Sequence, residues 1–79
     1  MKKMIVNGKT ITTNFGESGM RTIVKGNDLP NYRIEIARRD ETEKQFLERL
    51  VACGYSRIRF AEVSTRITGL HDLIAYCRR

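Results

Sequence analysis

Within six residues, Arg38-Arg39-Asp40-Glu41-Thr42-Glu43, the chain changes both its hydrophobic period and the sign of its charge. Before this junction, Tyr32, Ile34 and Ile36 alternate with Arg33, Glu35 and Ala37, the two-residue period of a strand with one apolar face. After it, Phe46, Leu47, Leu50, Val51 and Cys53 fall on one helical stripe, while Lys44, Glu48 and Arg49 point outward. Asp40 suits the N-cap, with Glu43 three residues on in capping-box spacing, and the acids of this turn complement the helix dipole. Gly54 supplies a left-handed stop, and Tyr55 can fold back on the last turn. A strand handed directly to an amphipathic helix, in a chain of 79 residues, leaves room for one α+β domain spanning 1–79.

The rest of the pattern fills in the sheet. Asn7-Gly8 between Lys3–Val6 and Lys9–Thr13 is a type I′ hairpin signal, because both turn positions need positive φ and β-branched residues flank them. The stretch 14–19, with Gly16 and Gly19, reads as a loop, 21–25 as a third short strand and 26–31 as a turn. Arg57-Ile58-Arg59-Phe60 alternates as a strand running to about Val63. Leu70, Leu73, Ile74 and Cys77 then recur at helical spacing, which predicts a terminal helix capped by Thr68. The predicted order ββββ-α-β-α is a small, mainly antiparallel sheet with two helices on one face. A domain this small buries only a little over ~60% of its unfolded surface, so a homodimer would be a natural supplement.

Charge carries the functional expectation. Fifteen Lys/Arg against nine acids give a net +6, and the isoelectric point is about 9.8. Residues 1–39 hold eight bases to three acids and residues 40–53 hold four acids to two bases, while 54–79 return to five bases against two acids. Such a balance favours a polyanionic partner. If helices cover the apolar face, Arg33, Arg57 and Arg59 project from the open face, with Arg38, Arg39, Arg66, Arg78 and Arg79 extending the field at its edges. Arginine pairs phosphate in bidentate fashion. The expected face carries no aromatic for base stacking, since Tyr32 and Phe60 read as core and Tyr76 lies off the helical stripe. Glu35 and Glu62 are the acids that would neutralise it across strands.

Other chemistries are demoted. His71 is the only histidine, and adjacent Asp72 diverges from it by about 100° on the predicted helix, so it cannot orient the ring. The serines lack a glycine elbow, and Cys53 and Cys77 have neither zinc-type spacing nor a disulfide framework around them. Gly16 and Gly19 lead into a strand, so they lack the helix N-terminus of a phosphate cradle. No apolar run approaches the ~18–20 residues of a membrane span, and the start meets Asn7-Gly8 too soon for a signal peptide. The sequence therefore predicts a cytoplasmic, non-enzymatic binding protein without cofactor, metal or membrane contact. It would engage nucleic acid or a nucleoprotein complex. The alternative is a protein-directed regulator of phage or mobile-element type, such as an anti-CRISPR-like blocker, docking through its two-signed surface.

Overall fold

The computed structural model describes residues 1–23, 31–64 and 71–79. Among these residues the architecture is α+β, with strands β1 (Lys2–Val6), β2 (Lys9–Thr13), β3 (Arg33–Ile36), β4 (Arg57–Ser64) and β5 (His71–Arg78), and one helix, α1 (Glu43–Ala52). The five strands form a mixed sheet in the order β1-β2-β4-β5-β3. β2 runs parallel to β4, and the other three pairings are antiparallel. The chain reaches that parallel pairing through β3 and α1, which places α1 across the sheet.

The hairpin forms as its turn residues require, with Asn7 at φ 50° and Gly8 at φ 80° setting Val6 opposite Lys9. After β2 the chain leaves the sheet in a tight loop. There the Asn14 side chain substitutes for a neighbouring strand: its Nδ2 donates to the Phe60 carbonyl at 3.1 Å, and its Oδ1 accepts from the Phe60 N–H at 2.7 Å. Of the expected third strand over 21–25, the described residues show a single parallel bridge, Ile23 to Glu62. Val24 and Lys25 lie outside the described residues, as does most of the 26–31 turn.

The helix starts two residues later than its acids imply. Thr42 is the N-cap, accepting from the Gln45 N–H at 3.1 Å, while Gln45 Oε1 accepts from the Thr42 N–H at 2.9 Å. Asp40 stays in the exposed turn before it. Cys53 is the exposed C-cap and not a member of the buried stripe, and Gly54 follows at φ 95°. Phe46, Leu47, Leu50 and Val51 pack on Ile11, Ile58, Phe60, Leu73, Ala75 and Cys77, with Met20 and Tyr55 closing the cluster. The Leu, Ile, Val, Phe and Met side chains among them each contribute roughly 1.5–3 kcal/mol by leaving water.

The second helix is not formed: residues 71–78 are β5, paired to β4 on one side and to β3 on the other. Leu73, Ile74, Ala75, Tyr76 and Cys77 are buried in succession. That is the signature of a central strand covered on both faces, and an unbroken apolar run satisfies helical spacing just as well. Thr68 and Leu70 lie outside the described residues.

β3 is also turned over relative to expectation. Glu35, opposite Ala75, shares the helix face, whereas Ile34 and Ile36 stand opposite Tyr76 and Ile74 on the other side. They remain 40% and 61% exposed. Alternation alone does not say which face a helix covers. This sheet is apolar on its far side too, where Ala61, Ile74 and Tyr76 form a second cluster with Tyr32 and Val63.

Candidate nucleic-acid interface

The strand register determines which cations meet. Counting across the face away from α1, Lys3 lies opposite Thr12, Thr12 beside Arg57, and Arg57 opposite Arg78. At about 4.8 Å between strands, this row spans roughly 14 Å. Arg59, two residues along β4, points to the same side opposite Tyr76. All four cationic residues are exposed. Tyr32, half-buried just before β3, packs on this face, and the Arg78 guanidinium lies over its ring at 6.0 Å. Arg59 and Tyr32 also line, with Met1, Asn14 and Glu17, an open cleft of about 390 Å³. Glu17 is the acid at its rim.

The acids expected to neutralise this row lie elsewhere. Glu62 alternates onto the helix side and receives Arg21 Nε at 2.7 Å, and the same guanidinium reaches Glu43 at 3.0 Å. Glu35 receives Arg33 Nε at 3.7 Å. Glu41 binds Arg49 through two contacts, at 2.7 and 3.0 Å. The bond from Arg49, helped by the Arg38 backbone N–H, holds the Glu41 carboxyl below its ordinary range. Among the described residues no acid lies within ion-pair distance of Arg57, Arg59 or Arg78.

Four arginines expected on the basic face or at its edges, Arg33, Arg38, Arg39 and Arg79, do not join this row. Arg33 shares the helix side with Glu35, because β3 is inverted. Arg38 and Arg39 sit in the β3–α1 connection, where they line a shallow groove with Asp40, Glu41, Gln45 and Arg49. Ala37 is bonded to Leu73, five residues along β5 from Arg78, so these arginines lie roughly 17 Å from the Arg57–Arg78 row at 3.3 Å per residue. Arg79 has a structural role: it covers the Tyr55 ring at 4.9 Å, and its Nη2 donates to the Cys53 carbonyl at 3.2 Å, closing the helix C-terminus. Arg66 lies outside the described residues. Lys3, Thr12 and Tyr32 are the additions, and Tyr32 was legible as sharing the parity of Ile34 and Ile36.

Cys77 is fully buried, and burial pushes its thiol up to about 12. Among the described residues no three His, Cys, Asp or Glu side chains converge as metal ligands, and no helix is long and apolar enough to cross a membrane. No protein-family model, no curated protein and no solved structure matches this chain. The geometry offers an array of guanidinium and ammonium groups suited to phosphate oxygens, beside one phenol ring suited to a base.

Proposed function

We propose that this protein is a non-enzymatic binder of single-stranded nucleic acid. Phosphates lie across Lys3, Arg57, Arg59 and Arg78, and a base rests against Tyr32. The observation that carries the reading is the register that sets Arg57 directly opposite Arg78. Like charges in that position are destabilising, and a fold gains nothing from the arrangement by itself. A phosphate bound between them turns the repulsion into two charge-assisted contacts. An exposed cationic row with a half-buried ring beside it suits an unpaired strand, whose bases are free to stack.

The competing reading, a blocker of a larger protein machine, drew on a net-negative helix surface. Glu41 and Glu43 are engaged there by Arg49 and Arg21, which leaves less charge for such a contact. Fluorescence polarisation with labelled single-stranded and duplex oligonucleotides at low salt tests the proposal. Tighter binding of the single strand, lost in R57Q/R59Q/R78Q, is the expected result. No binding to either probe, together with a stoichiometric protein partner that survives nuclease, would transfer the case to the blocker.

A further inference from the structure

We infer that β3 is the pairing edge for a second copy of this chain, joining two sheets into one continuous ten-stranded sheet about a two-fold axis through Ile34. The two ends of the sheet are built differently. β1 carries Lys2 and Lys3, which guard an edge against another strand. β3, the other edge, carries one arginine and one glutamate alternating with two exposed isoleucines.

The hydrogen-bond phase fixes which groups are available. The Ala37 N–H donates to the Leu73 carbonyl at 2.9 Å, and Arg33 and Glu35 follow in the same register with Cys77 and Ala75. In an antiparallel ladder the bonded positions alternate. Arg33, Glu35 and Ala37 therefore turn their backbone groups toward β5, while Ile34 and Ile36 turn theirs outward. Among the described residues only the Ile36 carbonyl has an outside donor, Arg49 Nη2 at 3.1 Å, and a carbonyl accepts two bonds.

Charge then selects one register from those the backbone permits. Centring the pair on Arg33 opposes two arginines, and centring it on Glu35 opposes two glutamates. Centring it on Ile34 sets Arg33 against Glu35 of the second copy, twice, with Ile34 against Ile34 and Tyr32 against Ile36. It is also a register in which outward-turned backbone groups meet each other. Because directly opposite side chains share a face, both helices lie on one side of the joined sheet and both Arg57–Arg78 rows on the other. The pairing does not depend on nucleic-acid binding.

A four-residue edge makes a small interface, so the dimer is weak, with a dissociation constant of roughly 10 µM to 1 mM. Sedimentation velocity of the nuclease-treated protein across that range tests it, with circular dichroism confirming that each variant is folded. Wild type is expected to dimerise with rising concentration. R33E, which turns two attractive cross-strand pairs repulsive, and I34K, which opposes two ammonium groups on the axis, are expected to weaken association at least about fourfold. R33E/E35R restores opposite charges and is expected to restore the dimer. A wild type monomeric at about 1 mM, an R33E that associates like wild type, or a folded R33E/E35R that stays monomeric would each overturn the assignment.

Discussion

Replacing Arg57 should make the protein more stable and a worse binder at the same time. Arg57 and Arg78 are cross-strand partners, both exposed, with no described acid in ion-pair range. Opposed like charges on a sheet cost about 0.2–1 kcal/mol. In a domain of this size 1 kcal/mol corresponds to about 4–8 °C in Tm, so R57T, which keeps a β-branched residue in the strand, should raise Tm by about 1–8 °C at low ionic strength. The gain is electrostatic and should vanish near 1 M salt, where the Debye length is about 3 Å. R57K keeps the charge and should show no gain. The same R57T should lose one phosphate contact, lowering the magnitude of the salt slope of single-strand binding by about 0.7. Thermal melts at two salt concentrations with parallel binding titrations provide the assay. A Tm that falls in R57T, or that rises equally at 1 M salt, would refute the reasoning.

Three further outcomes follow from the packing. Asn14→Ala removes both partners of the Phe60 backbone and should cost about 1–3 kcal/mol, measured by urea denaturation. In the native protein a thiol-specific reagent near pH 8 should modify the exposed Cys53 alone, with Cys77 reacting only after denaturation; two equally fast thiols would contradict the burial of β5. Glu41 is held below its ordinary value of 4.5, so its contribution is present above the unfolded value and lost as pH falls through the folded one. E41Q should therefore be less stable than wild type at neutral pH and lose less on acidification below about 4.5, as thermal melts across pH would show.

What the sequence made legible was local. Asn7-Gly8 and Gly54 demand positive φ, and the Phe46–Val51 stripe has one period, so hairpin, helix and helix stop were readable from a few residues each. The strand identity of 71–78 was not, because an apolar run buried on both faces meets a helical spacing by chance; Tyr76, off the helical stripe, was the residue that spoke for a strand. The inversion of β3 was hidden for a related reason, since an alternating strand names two faces without saying which one the helix covers. That inversion removed Arg33 from the candidate site and brought Tyr32 into it. The Arg57–Arg78 pairing depends on long-range register, which no local pattern encodes.

The central claim is that Lys3, Arg57, Arg59 and Arg78 bind phosphate as one row, and the salt dependence of single-strand affinity tests it most directly. Four contacts predict a slope of about −2.8 on logarithmic axes, close to a 50-fold loss of affinity between 50 and 200 mM salt. R57Q/R59Q/R78Q should flatten the slope to about −0.7. A wild-type affinity indifferent to salt, or a triple variant with the wild-type slope, would contradict the account.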